Sequence, residues 1–415
     1  MVGSGEAADR EEIQLKMKLL VVMTCYPFPP KAGSSIIAYN NVKELSKKHS
    51  ICFVCFDIPK ERGDFAGFVE QTEFVLRKKT PIPIKLFRYF FYMLQGIPFS
   101  VSARISHEMK VKVRDLIENN EFDAILLYEM KAIQYCPPSS YGKVIVNIED
   151  PRSIRQSRMR NLPGCSLWKK TKLLVDEKLF ECYESRIIPK MARVLLLSEV
   201  DAQDLKTQGA YVNLGSVSYG VKQRALIEII NYEGRADGTI IFSGNMFHPP
   251  NVDGILFFLR DILPLVLLRY PSAILWIVGA DPDREIRDVA EKFGEHVFIT
   301  GRVNDVSDYL KYAKVSVCPV RLRIGVQTKI LEALSWGTPV VTTSAGNSGI
   351  AGSPGSELWI EDDPVEFANR VVALLHGESW ARLSEGGKRL VAKRFSWERS
   401  AAQLQAQIEH IQTSV

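Results

Sequence analysis

Short apolar runs rich in β-branched residues recur along the chain, separated by longer segments whose apolar positions repeat at helical spacing. The first run, residues 18–24 (Lys-Leu-Leu-Val-Val-Met-Thr), has the continuous hydrophobicity of a strand buried on both faces. A loop of prolines and glycine follows. Residues 36–48 then read as an amphipathic helix closing in lysines, and residues 49–57 return as a second strand. That is a βαβ unit, whose crossover is expected to be right-handed. Runs at 123–128, 143–148 and 193–198 continue the alternation. A polar stretch at 231–238 (Asn-Tyr-Glu-Gly-Arg-Ala-Asp-Gly) interrupts it, and five more runs follow at 239–243, 273–278, 297–300, 315–319 and 338–342. The pattern predicts an α/β protein of two Rossmann-like parallel-sheet domains facing an interdomain cleft. The expected divisions are a disordered lead at 1–16, a first domain at 17–222, a linker at 223–238 and a second domain at 239–395. A terminal helix at 396–415 is placed to cross back onto the first domain.

With 415 residues, 46% of them hydrophobic and 24% charged, the composition is that of an ordinary globular protein of about two domains. Disordered, collagen-like and coiled-coil classes are excluded. A net charge of +5 is too small for a dedicated nucleic-acid binder, and no nucleic-acid partner is expected. Seven cysteines, odd in number and several inside apolar runs, fit reduced, buried thiols in a cytoplasmic protein. Cys52 and Cys55 form a Cys-x-x-Cys inside a strand, where residues three apart face opposite sides, and no second pair completes a zinc site. The most apolar stretch, 254–270, is broken by Arg260, Asp261 and Arg269, short of the ~20 uncharged residues a membrane span needs. The polar first residues carry no expected export signal.

In open parallel sheets ligands sit beyond the carboxyl ends of the strands. Of the loops this rule selects, the one after 315–319 is the most informative: Val320-Arg-Leu-Arg-Ile-Gly-Val-Gln-Thr-Lys-Ile-Leu-Glu332. A helix starting near Gly325, with Arg321 ahead of it, offers free backbone N–H groups and a positive dipole end to an anion. Lys329 adds a point charge, and Glu332, three residues on, suits the hydroxyls of a ribose. A solvated Lys–Glu pair is the alternative, and it stays open here. Gly33, after the first strand, allows close backbone approach to a ligand, but no Gly-x-Gly-x-x-Gly surrounds it and a dinucleotide cofactor is not expected. Glu149 and Asp150 end a buried strand where carboxylates can face a sugar. Equally, Asp150 can cap a helix whose first turn holds Pro151.

Together these pieces resemble the family 4, or group 1, glycosyltransferases of the two-lobed GT-B fold. The resemblance runs through nearly the whole chain from Met17 and is strongest in the second half. It rests there on Phe242-Ser-Gly-Asn-Met-Phe-His-Pro-Pro-Asn-Val-Asp253, Ile277-Val-Gly279, Ile299-Thr-Gly-Arg-Val303, Gln327-Thr-Lys-Ile-Leu-Glu-Ala333 and Trp336-Gly-Thr-Pro-Val-Val341, in the family's order. Asp362-Asp-Pro-Val-Glu-Phe-Ala368 and Phe395-Ser-Trp397 match the tail. In the first half Tyr26-Pro-Phe-Pro-Pro-Lys-Ala-Gly33, Asn147-Ile-Glu-Asp-Pro-Arg-Ser153 and Glu184 are similar to family segments.

The resemblance implies a hexosyltransferase-type enzyme that retains anomeric configuration, takes a UDP- or GDP-sugar between its lobes, and uses no cofactor and no catalytic metal. The leaving diphosphate is then stabilised by cations and backbone N–H groups. Lys329 and Asp150 are the implied catalytic residues. Gly33, Gly244, Asn245, Arg302, Val303, Arg321, Gly325, Val326, Gln327, Thr328 and Glu332 are implied to bind the donor, Arg302 and Val303 lining the base pocket and Glu332 holding the ribose. Glu149 and Ser153 are implied on the acceptor side. The chain departs from the family at Asn245, Arg323 and Ile324, the last standing where many members carry a first glutamate. These departures motivate the alternative of a catalytically weak, sugar-nucleotide-binding assembly partner of the same fold. A sugar-nucleotide epimerase is disfavoured by the few histidines in the selected loops.

The acceptor, a glycan or a lipid-linked sugar in polysaccharide or glycoconjugate biosynthesis, is expected on the first lobe. Residues 77–94 mix cations with aromatics, and Arg155, Arg158, Arg160, Lys169, Lys170 and Lys172 accompany Leu167 and Trp168. Such pairing suits an anionic membrane surface, which implies peripheral attachment to the inner face of the cytoplasmic membrane. Packed helices with solvated lysines are the other reading of the same residues.

Overall fold

The computed structural model describes residues 16–413, apart from 32 and 78–80. The lead expected at 1–16 therefore lies outside the described residues, Lys16 excepted, as do Lys78 and Lys79 of the basic stretch.

The first lobe is a parallel sheet of β1 (Lys18–Val22), β2 (Ser50–Phe56), β3 (Gln71–Val75), β4 (Ala124–Leu127), β5 (Val144–Glu149), β6 (Arg193–Leu196) and β7 (Leu214–Ser216). Its strand order is β3-β2-β1-β4-β5-β6-β7. The second lobe holds β8 (Thr239–Ser243), β9 (Ile274–Val278), β10 (Val297–Gly301), β11 (Val315–Cys318), β12 (Val340–Thr342) and β13 (Trp359–Ile360), ordered β10-β9-β8-β11-β12-β13. The helices that matter below are α1 (Gly33–Leu45), α2 (Ile82–Leu94), α3 (His107–Glu118), α4 (Arg152–Arg160), α5 (Leu167–Ile187), α6 (Glu199–Gln208), α7 (Thr328–Ser335) and α8 (Trp397–Thr413).

The central strands form because their runs are apolar on both faces and are covered on both. Leu19 and Val21 pack into one core layer, Leu20 and Val22 into the other. Cys55 and Cys52 divide in the same way, as their spacing requires. Strands β3, β7 and β13 were not legible as apolar runs. All three are sheet edges: β3 is Gln-Thr-Glu-Phe-Val with only its last residue buried, and the other two span three and two residues. An edge strand buries less side chain, so its sequence stays polar or short. The apolar stretch near 254–270 is helical and faces the second core through Ile255, Phe258, Leu259, Ile262 and Val266. Among the described residues no helix is long and apolar enough to cross a membrane.

In both sheets the strand order reverses once, between β1 and β4 and between β8 and β11, and the crevice at each reversal is where an open sheet receives ligand. The chain passes between lobes twice, and the two passages are joined by a hydrogen bond from Val221 N–H to the Phe395 carbonyl (2.9 Å). Trp397 packs beside them on Tyr219, ring centroids 5.1 Å apart. Helix α8 then lies along α1 in the first lobe, where Gln403 accepts from Ser218 N–H (2.8 Å) and Gln407 from Arg193 Nε (2.8 Å).

Candidate active site

The loop between β11 and α7 enters the interlobe cleft. Its turn is set by Gly325, whose φ of 54° lies in the left-handed region, so the helix begins at Thr328 rather than near Gly325 as the sequence suggested. Lys329 is then in the first helical turn and points inward. It is buried, its Nζ donates to Asn251 Oδ1 (2.7 Å), and it lies 4.3 Å from the Phe242 ring centroid. Burial pushes the Lys329 ammonium below its ordinary pKa. The backbone after β8 passes directly over this amine: a Cβ placed on Gly244 would stand 3.0 Å from Nζ and 2.8 Å from Asn251 Nδ2. Only glycine fits, with its φ of 154°. The solvated Lys–Glu pair is thus overturned. Lys329 is secluded against the Asn251 amide and the Phe242 ring, and no ion pair joins it to Glu332 among the described residues.

Glu332 lies one turn further along α7 in the same cavity. Burial raises its carboxyl to about 7, with Asp305 adding repulsion and Lys329 and Arg224 opposing. The cavity has a volume of about 340 Å³ and draws on both lobes. The second lobe contributes Gly244, Asn245, His248 and Asn251, then Ile324 through Lys329, and Glu332. The first lobe contributes Gly33, Glu149, Asp150, Arg155 and Tyr219. Asn245 turns its Oδ1 back to the Phe247 N–H (2.9 Å), and its carbonyl accepts from Asn251 Nδ2 (2.9 Å).

On the first-lobe wall, β5 ends in a register shift between Asn147 and Glu149, and Glu149 takes a left-handed φ of 62°. A non-glycine residue held there is strained by roughly 1–3 kcal/mol, which the surrounding contacts must offset. The strain turns the Glu149 carboxylate beneath Gly33, where a Cβ would sit 3.5 Å from Oε2. Burial raises the Glu149 carboxyl above its usual range. Asp150 is buried beside Arg152 (3.5 Å) and Arg155 (3.3 Å), and its Oδ1 has no hydrogen-bond partner. It faces Gly325 across the cleft, 3.9 Å from the position a Cβ would take.

The structure corrects several expectations. Asp150 does not cap α4. That role falls to Glu184 of α5, which accepts from the N–H groups of Arg152 (2.9 Å) and Ser153 (3.4 Å). Ser153 is fully buried, its Oγ donating to Glu184 (2.5 Å), so it cannot reach an acceptor. Arg321 lies outside the cavity, its guanidinium committed to Asp253 at 3.0 and 2.5 Å. Arg302 is exposed and Val303 packs on the core; the chain after β10 meets the cavity at Val306 instead.

Several participants were missed as site residues. Arg155, read among membrane-facing cations, reaches His248 Nε2 across the cleft (3.0 Å). Burial, Arg155 and Lys329 lower His248 to about 4, so a neutral imidazole accepts that bond. Arg158 also faces the other lobe: it donates to the Arg323 carbonyl (2.7 Å) and to Asp204 on α6 (2.6 Å). Arg323 completes this clasp by donating to the same Asp204 carboxylate (2.6 Å). Arg160 pairs with Glu177 (3.1 Å). His248 and Asn251 stood within the segment 242–253 and carried no assigned role, and Arg155 and Asp204 carried no signal that a single chain's spacing reveals. Among the described residues no group of three His, Cys, Asp or Glu is placed to hold a metal ion.

The family model described as "Glycosyl transferases group 1" matches residues 237–377, the second lobe. A Klebsiella pneumoniae protein called "Uncharacterized 44.6 kDa protein in cps region" is 27% identical over 139 residues, which are 32% of this chain and 36% of that relative's length. Solved structures cover nearly the whole chain. Anabaena HepE in complex with UDP and glucose has a TM-score of 0.63 at 12% identity, covering 95% of this chain and 99% of that one. Sucrose-phosphate synthase from Thermosynechococcus elongatus reaches 0.67 at 14%, covering 96% and 100%. Staphylococcus aureus TarM, in a mutant bound to fondaparinux, alpha-GlcNAc-glycerol and UDP, gives 0.63 at 12%, covering 94% and 99%. The second lobe thus matches the group 1 glycosyltransferase family model, and the two lobes together have the GT-B fold of these solved structures.

Proposed function

We propose that this protein transfers a sugar, with retention of configuration and without a metal, from a UDP- or GDP-sugar to a glycan or lipid-linked acceptor. The observation that carries the reading is Lys329: a buried cation outside any ion pair among the described residues, under a glycine-only backbone crossing and in the first turn of α7. Such a cation is poised for the charge that develops when the anomeric C–O bond breaks and its electron pair moves onto the diphosphate. Glu332, in its ionised form, accepts from ribose hydroxyls. Asp150, held by Arg152 and Arg155 opposite Gly325, is the carboxylate assigned to the reacting sugar. The acceptor oxygen forms the new bond on the face the diphosphate leaves, and its proton passes to the departing phosphate oxygen. The UDP complexes of HepE and TarM support a UDP-sugar as donor, and polysaccharide or glycoconjugate biosynthesis is the setting we propose.

The test is a panel of nucleotides and nucleotide sugars. UDP or GDP is expected to raise the melting temperature, a ligand at a hundred times its Kd adding about 2.7 kcal/mol. Nucleoside diphosphate release is expected to continue in EDTA, with NMR showing the donor's anomeric configuration in the product. Silence toward every nucleotide overturns the donor site, and loss of turnover in EDTA overturns the metal-free reading. Binding without transfer selects the assembly-partner reading, which Ile324 on the cavity wall favours.

We also propose a peripheral membrane contact. Leu86, Phe87, Phe90 and Leu94 of α2 are 58–71% exposed, and Leu167 and Trp168 at the start of α5 are 83% and 81% exposed. Exposed Lys169, Lys170 and Lys172 flank them, whereas Arg155, Arg158 and Arg160 are engaged elsewhere. An apolar face beside cations suits an anionic interface. Flotation is expected with anionic vesicles and to fall sharply for Phe87→Ser/Trp168→Ser; equal, negligible flotation with anionic and neutral vesicles removes the contact.

A further inference from the structure

The first lobe has a second cavity, of about 1160 Å³, beyond the carboxyl end of β2 and between α2 and the start of α3. Its charge is one-sided. Arg77, Arg88, Arg104 and Lys110 line it, with Glu108 as the lining carboxylate. Glu108 accepts from Ser106 Oγ (2.9 Å). Arg88 donates to the Ile105 carbonyl (3.0 Å), and Arg77 stands 3.7 Å from exposed Asp57. Among the described residues neither Arg104 nor Lys110 has a carboxylate within 4.0 Å. The α3 N-terminus adds its positive dipole end at the rim. One wall is aromatic: Tyr89 and Phe99 pack with centroids 4.2 Å apart, Tyr92 lies on the same helix as Tyr89, and Phe56 carries the Arg77 guanidinium at 4.9 Å. Cations recognise a phosphate, and the aromatic wall beside them, exposed at Phe99, offers a surface to a sugar ring attached to it.

The position of this cavity links it to the interlobe site. Arg77 donates to the Thr24 carbonyl just after β1 (3.4 Å), and the Thr24 hydroxyl donates to Glu129 just after β4. Those two loops frame the strand-order reversal of the first sheet. The next strand in the sheet order is β5, which ends at Glu149, so successive loops along the carboxyl edge of the sheet lead from the cationic cavity to the reacting centre. Helix α2 serves both surfaces: Arg88, Tyr89 and Tyr92 face the cavity, while Phe87, Phe90 and Leu94 face outward.

We propose that this cavity binds the phosphate or diphosphate of an acidic acceptor, Arg104 and Lys110 supplying its free cations and Tyr89, Tyr92 and Phe99 a platform for the attached sugar. The inference rests on the transferase reading above and names the acceptor's chemistry. The phosphate can belong to a lipid-linked sugar or to a soluble phosphoglycan.

The probe is inorganic pyrophosphate, titrated calorimetrically into protein already saturated with UDP, so that the donor site is filled. Wild type is expected to bind it, and Arg104→Gln/Lys110→Gln to bind at least tenfold more weakly with unchanged UDP affinity. Farnesyl diphosphate in neutral phosphatidylcholine vesicles separates the sources. Retention by wild type and not by the variant assigns a lipid-linked acceptor, and pyrophosphate binding without retention assigns a soluble one. No pyrophosphate binding to the UDP complex, or equal binding by the variant, overturns the site. Failure of UDP itself to bind overturns the donor reading instead, and is told apart in the first titration.

Discussion

Replacing Lys329 with methionine is expected to lower turnover by ~10²–10³-fold or more, the range found when a single preorganised donor to developing charge is removed. The folded protein is expected to be no less stable for it. Lys329 has Asn251 Oδ1 and the face of Phe242 as partners, with no carboxylate within ion-pair distance among the described residues. A cation held in that setting forfeits hydration that one amide oxygen does not restore, and a methionine of similar length avoids the cost. The variant should therefore separate function from fold. Its melting temperature without ligand stays level or rises, while the upward shift caused by UDP or GDP is lost. Steady-state release of nucleoside diphosphate and a thermal melt with and without nucleotide read both quantities. A variant that keeps its nucleotide-induced shift and its turnover would remove Lys329 from the site.

Glu332→Gln is expected to weaken donor binding by about 10–100-fold, the effect of a hydrogen bond to a charged group worth about 1.5–3 kcal/mol. A pH dependence identifies the cause. The carboxyl is raised from 4.5 in the unfolded chain to about 7 in the fold. Between those values the native state holds a proton that the unfolded state has lost. Stability from this group is thus fully present below about 4.5 and declines as pH rises through about 7. Donor affinity runs the other way, because ribose hydroxyls donate to the ionised carboxylate, so nucleotide binding strengthens as pH passes upward through about 7. Calorimetric titrations below and above that pH should show the rise in wild type and a flat profile in the glutamine variant. Glu184, also raised to about 7 by burial, adds to the stability slope but contacts the α4 terminus rather than the cavity, so Glu184→Gln should leave the ligand profile intact.

The interior of each lobe was readable because its physics is local. A strand covered on both faces must be apolar throughout, and residues 18–24, 123–128 and 315–319 say so directly. The edge strands β3 and β13 were not, since β3 is largely unburied and β13 spans two residues, so neither carries a continuous apolar run. The loop leading to α7 shows the same division within a few residues. Its glycine, lysine and glutamate marked an anion site, but the helix start moved three residues because Gly325 adopts a left-handed turn. Asp150 shows it again: the residue order suits a cap, yet Glu184, thirty-two residues beyond Arg152, occupies the place the cap would take.

What the amino-acid order determined by itself was two α/β halves, the loops able to hold a ligand, and the residue types that make one of them cationic. Each follows from periodicity, glycine placement and charge over a few residues. What only the tertiary structure decided was which charges face one another: that Lys329 is secluded and unpaired, that Arg155 and Arg158 grip the opposite lobe instead of a membrane, and that Arg77, Arg88, Arg104 and Lys110 share a cavity. The reason is that burial and partnership are set by segments distant in sequence, and the free energy of a charge depends on them more than on its chain neighbours.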